Sequence, residues 1–137
     1  MDKMNTSEVE AIIQPDEASA PFFDGAANGR YMLLRCKACG EWHAPQAVMC
    51  MECASPDLEW QEASGKGKLH SFVIVHRAQI PGIEAPYNLS VVETDEGPRV
   101  VSRIVGIDNN QIEVGMALNV TFGKLTNGMS LPYFTPG

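Results

Sequence analysis

The four cysteines constrain the fold of this chain more than any other feature, because all of them lie within residues 36–53. They form two C-x-x-C pairs, Cys36 with Cys39 and Cys50 with Cys53, and ten residues separate the pairs. Each short turn can present two thiolates to one metal, and two such turns complete the tetrahedral sulfur shell of structural zinc. The spacing therefore predicts one structural Zn²⁺ bound by all four cysteines.

Three other uses of these cysteines agree less well with the sequence. Two disulfides require an oxidising compartment, for which nothing in the chain argues. A thioredoxin-like redox motif needs a single C-x-x-C beside a βαβ pattern, which is not seen here. A catalytic zinc keeps an open coordination position, whereas four thiolates close the shell. Because the shell is already full, we interpret His43 as a surface residue rather than a ligand.

The residues next to the cysteine pairs differ between the two turns. Gly40 follows the first pair and can take the positive φ of a tight turn, whereas Ala54 occupies the equivalent place after the second. Arg35 and Lys37 flank the first pair. They either soften the negative charge of the site or are ordinary solvated residues, and the sequence leaves both interpretations open.

Short β segments around the cysteines are typical of a rubredoxin-like zinc ribbon. We expect strand at 30–35 and 58–62, and a returning segment at 42–45. Before them, Pro21 near a helix start and Gly29 at a cap position predict a short helix over 21–28. Its paired Phe22 and Phe23 either join the core or form a docking face if the core is incomplete.

From Ser64 onward the pattern is all-β. A glycine-punctuated opening at 64–68 leads into a long strand at 69–76, and glycines there suit a bulge or sharp coil. Further strands are expected at 89–94, 99–105 and 118–122, with a turn at 95–98 and a loop at 78–86. Four to five strands with a coiled first strand predict a small OB-fold barrel.

The expected organisation is mainly β, with an N-terminal helical segment (1–29), a zinc ribbon (30–63) and an OB-fold domain (64–137). The net charge of −7 and pI of about 4.8 disfavour a general nucleic-acid binder. No apolar run approaches the ~20 residues of a membrane helix, so no membrane association is expected. The N-terminus lacks the shape of a secretory signal, and the expected compartment is the cytoplasm.

The order of these motifs resembles the zinc-ribbon and OB-fold proteins associated with acyl-CoA chemistry, a family first described as a domain of unknown function. The resemblance covers about residues 21–136. Its motifs are Gly29-Arg30, Leu34 to Gly40, Pro45, Cys50 to Cys53, Trp60, Gly65-Lys66-Gly67, Ser71-Phe72, Pro86-Tyr87, Gly97-Pro98-Arg99, Val114-Gly115-Met116 and Leu131 to Phe134.

That resemblance implies a non-catalytic partner role. Members of the family accompany thiolase-fold enzymes or enoyl-CoA hydratase-like ones, which carry the catalytic residues. The ribbon and OB-fold subunit holds part of the CoA moiety and bridges protomers. The implied reactions are acyl transfer and thiolytic or aldol cleavage of a CoA thioester.

A CoA ligand would need cations for its phosphates, since Arg holds phosphate bidentately and Lys supplies a point charge. The alternative is that the cationic side chains simply lie on exposed strand faces. Loop residues 81–83 and Pro86-Tyr87 could line a pantetheine path. The candidate phosphate contacts are Lys66, Lys68, His76, Arg77 and Arg99, with His70 and Arg103 in the same segments.

Two rival functions remain at the level of sequence. Zinc ribbons and OB folds also occur in nucleic-acid-binding proteins, but only Phe72 accompanies basic residues on the long strand. A stand-alone hydrolase would need a nucleophile and a base, and no such pair stands out around the three histidines. Residues 1–20 lack apolar surface for a core, so we expect them to order mainly against a partner.

Overall fold

The computed structural model describes residues 19–77, 85–124 and 130–137. The N-terminal residues 1–18 and the loop residues 81–83, on which two predictions depend, lie outside these ranges. Within them, no helix is long and apolar enough to cross a membrane. The elements are α1 (Ala20–Ala27), β1 (Met32–Cys36), β2 (Trp42–His43), β3 (Leu58–Glu62), β4 (Lys66–Val75), β5 (Tyr87–Thr94), β6 (Arg99–Ser102), a 3-10 turn (Asn109–Gln111), β7 (Ala117–Lys124) and β8 (Ser130–Pro136).

Helix α1 begins one residue earlier than predicted, with proline in its first turn. It ends at Ala27 and is capped by Asn28, whose side-chain amide donates to the carbonyl of Asp24 at 2.8 Å. Gly29 then takes a φ of +73°. The helix lies against β1 and β8. Phe22 packs on the buried core, which confirms the first of the two interpretations for that residue.

The ribbon is a three-stranded antiparallel sheet in the order β2-β1-β3. Leu34 in the central strand lies opposite His43 on one side and Trp60 on the other. Because β1 ends at Cys36 and β2 returns directly after the first C-x-x-C turn, the hairpin places that turn at the tip of the sheet.

The second sheet has five antiparallel strands in the order β6-β5-β4-β7-β8. A register shift between Leu69 and Ser71 interrupts the β4–β5 ladder just after the opening at 64–68, where the sequence predicted a bulge or sharp coil. Strand β4 pairs with β5 along one edge and, through Lys66 to Lys68, with β7 along the other. The two ends of the sheet meet at a parallel bridge between Ile104 and Phe134, where the Val105 amide donates to the Phe134 carbonyl at 2.8 Å. This closure confirms the OB-fold class.

Strand β8 is absent from the sequence prediction. It contains Pro132 and Pro136, which cannot donate to a sheet ladder and are therefore poor strand signals. The structure accommodates them because β8 pairs along its length with β7 alone and is an edge strand apart from the short bridge.

The ribbon and the barrel share one hydrophobic core. Tyr31 and Leu33 from the ribbon belong to the same buried cluster as Leu69, Val92 and Phe134 from the barrel. The Tyr31 ring meets the Phe134 ring edge-to-face with centroids 5.6 Å apart. The boundary predicted between residues 63 and 64 thus separates two stretches of sequence that pack together.

The buried side chain of Asn88 forms hydrogen bonds with the segment that follows β6. The Asn88 amide oxygen accepts from the Ile104 amide at 2.7 Å and from the Ser90 hydroxyl at 2.9 Å. Its nitrogen donates to the Ile104 carbonyl at 2.8 Å and to Asn109 at 3.1 Å. Asn88 is fully buried, and this set of bonds offsets the cost of removing its amide from water.

Candidate functional site

The four cysteine sulfurs come together as predicted. All four lie within 4.8 Å of one another, and the contacts between the pairs are 3.6 Å for Cys36 with Cys53 and 3.5 Å for Cys39 with Cys50. Zinc–sulfur bonds of about 2.3 Å in a tetrahedron require sulfurs separated by about 3.8 Å. The arrangement therefore fits Zn²⁺, and among the described residues no other side chain joins this ligand group.

The two turns that carry the cysteines have the same backbone geometry. We call residues 36–41 the first knuckle and residues 50–55 the second. The Gly40 amide donates to the Cys36 carbonyl, and the Ala54 amide donates to the Cys50 carbonyl, both at 2.9 Å. In the reverse direction, the Cys36 amide donates to the Glu41 carbonyl at 2.8 Å and the Cys50 amide to the Ser55 carbonyl at 2.9 Å. The fifth residue takes positive φ in both, +84° at Gly40 and +62° at Ala54.

Amide donors and crowded sulfurs act in opposite directions on the thiols. Amide hydrogen bonds from Cys39 and Ala38 lower the pKa of the Cys36 thiol to about 6 against the effect of burial. At Cys39 the Glu41 amide favours the thiolate, but the neighbouring Cys50 sulfur and burial raise its pKa to about 12. The Cys36 thiolate thus forms readily, whereas the neighbouring sulfur opposes ionisation of Cys39. A bound dication would stabilise all four thiolates and remove this repulsion.

Arg35 supports the first knuckle rather than acting as a free surface charge. Its Nε donates to the Gly40 carbonyl at 2.9 Å, and its guanidinium lies 5.1 Å from the centre of the Trp42 ring. Lys37 is exposed, in agreement with its interpretation as an ordinary solvated residue. The same turn is tied to the chain after the second knuckle, because the Lys37 amide donates to the Asp57 carbonyl at 2.9 Å.

His43 is not a surface residue, and that prediction was wrong. It is only 9% exposed, because the two-residue strand β2 pairs with β1 and places His43 opposite the buried Leu34. Its Nε2 has no hydrogen-bond partner within the described part of the chain. A two-residue strand is too short to show the alternation that would reveal burial.

The candidate phosphate contacts fall into two separate groups. Lys66, Lys68 and Arg99 lie near the start of β4, whereas His76 and Arg77 follow its far end. Eight residues of extended chain between Lys68 and His76 span roughly 26 Å, so the five do not form one cluster. The assignment of these residues to CoA stays a prediction.

The first of these groups is partly neutralised by acidic residues. Lys68 lies opposite Glu93 across β4 and β5, and Glu93 also contacts Arg99 at 3.8 Å. Both members of that ion pair are about half exposed, so its net contribution to stability is small.

Arg103 and Tyr87 are both buried, although the sequence predicted them at a ligand-binding surface. Arg103 is buried, with its guanidinium 5.7 Å from the centre of the Tyr87 ring, and is therefore not an exposed cation. The Tyr87 ring is itself buried and packs on Arg103, which corrects its prediction as a wall of an open path. His70 is exposed, and its Nδ1 lies 3.2 Å from the Ser71 hydroxyl.

Sequence reasoning missed an apolar cleft where the helix, the ribbon and the edge of the barrel meet. Its volume is about 300 Å³. The sequence signal for it was the Phe22–Phe23 pair, for which a docking face was one of the two interpretations; the ribbon and barrel walls had no such signal. The lining residues are Ser19, Phe22, Phe23, Tyr31, Pro45, Gln46, Trp60, Val100, Val101, Ser102 and Pro132.

Comparison with protein families matches the two parts of the chain separately. Residues 23–59 match the ChsH2 rubredoxin-like zinc ribbon domain, and residues 60–123 match the ChsH2 C-terminal OB-fold domain. A DUF35 domain-containing scaffold protein of Methanothermobacter thermautotrophicus is 37% identical over 101 residues, which cover 70% of this chain and 75% of that protein. The chain belongs to the DUF35 family. The zinc-ribbon and OB-fold class and the family resemblance are therefore confirmed.

A solved structure and a longer curated relative are also similar to this chain. A solved structure described as an Ltp2-ChsH2(DUF35) aldolase superposes with a TM-score of 0.80 at 32% identity, covering 90% of this chain and 98% of the matched one. A probable enoyl-CoA hydratase alpha subunit of Thermomonospora curvata is 34% identical over 118 residues. This chain spans only 37% of the length of that hydratase subunit.

Proposed function

We propose that this DUF35 chain is a zinc-binding accessory subunit of an enzyme that acts on CoA thioesters, and that another chain supplies the catalytic residues. The observation that carries this proposal is the match to a chain of the structure described as an Ltp2-ChsH2(DUF35) aldolase, which extends over 98% of that chain. Two relatives are named as alpha subunits of hydratases that act on CoA thioesters, which supports a CoA thioester as the substrate class.

The metal centre supports a structural rather than a catalytic role. Four thiolates leave no coordination position for a substrate or an activated water. When bound, zinc would join the two knuckles, while the protein residues provide the amide donors and the Arg35 contact that orient them. We therefore assign the metal to holding the ribbon in the form that a partner recognises.

Within the described ranges, the remaining titratable groups do not form a catalytic site of their own. The contact between His70 and Ser71 lies on exposed surface, and neither residue lines the cleft. Among the described residues that line the cleft, none is a histidine, cysteine or carboxylate. A nucleophile and base in a water-excluding pocket are what acyl-CoA cleavage requires, and we expect them on the partner.

The class of partner and the CoA contacts are parts of the same proposal. The catalytic chain is a thiolase-fold enzyme or a hydratase-like one. The exposed Lys66 and Lys68 are the candidates that remain best placed to reach a phosphate, with Arg99 beside them. His76 and Arg77 would contact a different part of the ligand or a different chain.

The proposal is tested by isolating the tagged protein from its native extract and identifying the chains that co-purify. We expect a thiolase-fold or hydratase-like chain in a zinc-containing complex that turns over acyl-CoA, and no turnover by the tagged chain alone. A Cys50→Ser bait is the matched control for binding that depends on the ribbon. Recovery of RNA and ribosomal proteins would favour the nucleic-acid alternative, and turnover by the chain alone would show that it is an enzyme.

A further inference from the structure

The outward face of the barrel beside the cleft carries a continuous apolar surface. Along β5, burial alternates so that Leu89, Val91 and Glu93 point away from the core. Leu89 lies opposite Val73 of β4, and Val91 lies opposite Val101 of β6. We call Val73, Leu89, Val91 and Val101 the outer patch.

Three of the four outer-patch side chains are exposed, and Val91 between them is half-buried. Val101 is 66% exposed, Val73 57% and Leu89 42%. These residues come from three adjacent strands and are neighbours on one face, so they form a contiguous area rather than scattered single residues. Such contiguous apolar areas mark sites of association.

Charged residues border the outer patch along one side. The next row of the same face contains Lys68, Glu93 and Arg99, which lie opposite one another across the three strands. The surface therefore has an apolar centre with a polar margin, which is the usual anatomy of a protein–protein interface.

The cleft and the outer patch are continuous through Val101, which belongs to both. A flat apolar area next to an aromatic-lined depression suits a partner that rests on the sheet and inserts a large side chain into the depression. In protein interfaces such a buried anchor supplies much of the binding energy. This continuity favours a macromolecular occupant for the cleft over a small ligand.

We infer that the outer patch and the cleft together form the surface that docks the catalytic subunit of the CoA-thioester enzyme. The inference rests on the proposed function, since it names the contact surface for that partner. The matching partner surface is apolar, with one or two large side chains that project into the cleft.

A second copy of this chain is a poorer occupant. A two-fold dimer would need the same surface to supply both the depression and the side chain that fills it. Two chains of charge −7 also repel each other at long range.

The test measures the affinity of the recovered catalytic chain for variants of this protein. Val101→Glu and Leu89→Glu introduce a charge into the outer patch and are expected to weaken binding at least tenfold. Val114→Glu is the matched control, because Val114 is 65% exposed, almost the same as Val101, but lies outside the outer patch. We expect it to change the affinity less than twofold.

Folding and charge are controlled in the same experiment. Zinc content and the unfolding midpoint of each variant are measured first, and Val73→Glu replaces any variant that fails to fold. Val101→Lys separates loss of apolar contact from added negative charge, and we expect it to weaken binding as Val101→Glu does.

The outcomes distinguish the inference from the proposed function. If a thiolase-fold or hydratase-like chain is recovered and binds the outer-patch variants as tightly as the unchanged protein, the docking surface is wrong and the proposed function stands. If no such chain is recovered, both are wrong. A dimer of this chain that the Val101 variants abolish would show that a second copy is the occupant and overturn the inference.

Discussion

The two knuckles have the same hydrogen bonds and the same kind of positive-φ residue, but the rest of the fold supports them unequally. The first knuckle joins β1 to β2, and Arg35 holds its Gly40 carbonyl. The second knuckle lies in the connection between β2 and β3, where no described strand flanks it directly. Val48 before it and Met51 within it are more than 80% exposed.

The backbone geometry of each knuckle is thus set by hydrogen bonds within its own six residues, whereas its stability depends on what lies behind it. The first knuckle continues from a strand whose Leu33 is in the shared core. The second is held by its buried Cys50 and the sulfurs of the site, and the chain after it by one bond from the Lys37 amide to the Asp57 carbonyl. We therefore expect the second knuckle to depend on zinc more than the first.

Removal of the metal is the largest test of that asymmetry. Zinc binding to such sites is coupled to folding and is worth ~10–16 kcal/mol in zinc-finger peptides. After chelation, or in Cys50→Ser, we expect amides of residues 50–55 to exchange rapidly while those of Leu33 and Leu34 stay protected. Hydrogen exchange with measured zinc content tests this, and Met51→Ser is the control in the same turn. Equal loss of protection in β1 would contradict the asymmetry.

Gly40→Ala should have the next largest effect. A φ of +84° is costly for a residue with a Cβ, and the change should destabilise the protein by about 1–2 kcal/mol. The cost is conformational, because the nearest atom to an added Cβ is Arg35 Nη2 at an ordinary 3.7 Å. Denaturant unfolding at a fixed free zinc concentration measures it, with Lys37→Ala as the control. An unchanged unfolding free energy would show that the metal holds the first knuckle without help from glycine.

Ala54→Gly should have the smallest effect, and in the opposite direction. The φ of +62° lies near the left-handed minimum, where alanine is strained but less so than at +84°. Glycine there should stabilise the zinc-loaded protein by about 0.5–1 kcal/mol, reduced by its greater freedom in the unfolded chain. The same unfolding measurement applies. A loss of stability would mean that the unfolded-chain effect exceeds the strain.

Sequence reasoning recovered the parts of this protein that depend on residues close together in the chain. The zinc site follows from spacing, and α1 follows from Pro21 and Gly29 to within one residue at each end. Most barrel strands follow from alternation and from glycine-rich turns. Each of these features is determined over a few residues, and a single sequence displays it directly.

The errors all involve contacts with another element of the fold, which the local sequence pattern does not display. His43 is buried because β2 pairs with β1, and Arg103 is buried against Tyr87. Strand β8 forms despite its prolines because β7 provides a pairing edge, and that pairing closes the barrel. The cleft has no local signature, since its walls come from three separate parts of the chain.

The sequence by itself therefore determined the zinc ligands, the fold class and the family, because metal coordination and strand alternation are short-range properties. Only the tertiary structure decided that the ribbon and barrel share a core. It alone separated the candidate cations into two groups and joined the cleft to the outer patch. Those outcomes depend on which surfaces pack together when the apolar side chains leave water, and that information is spread over the whole chain.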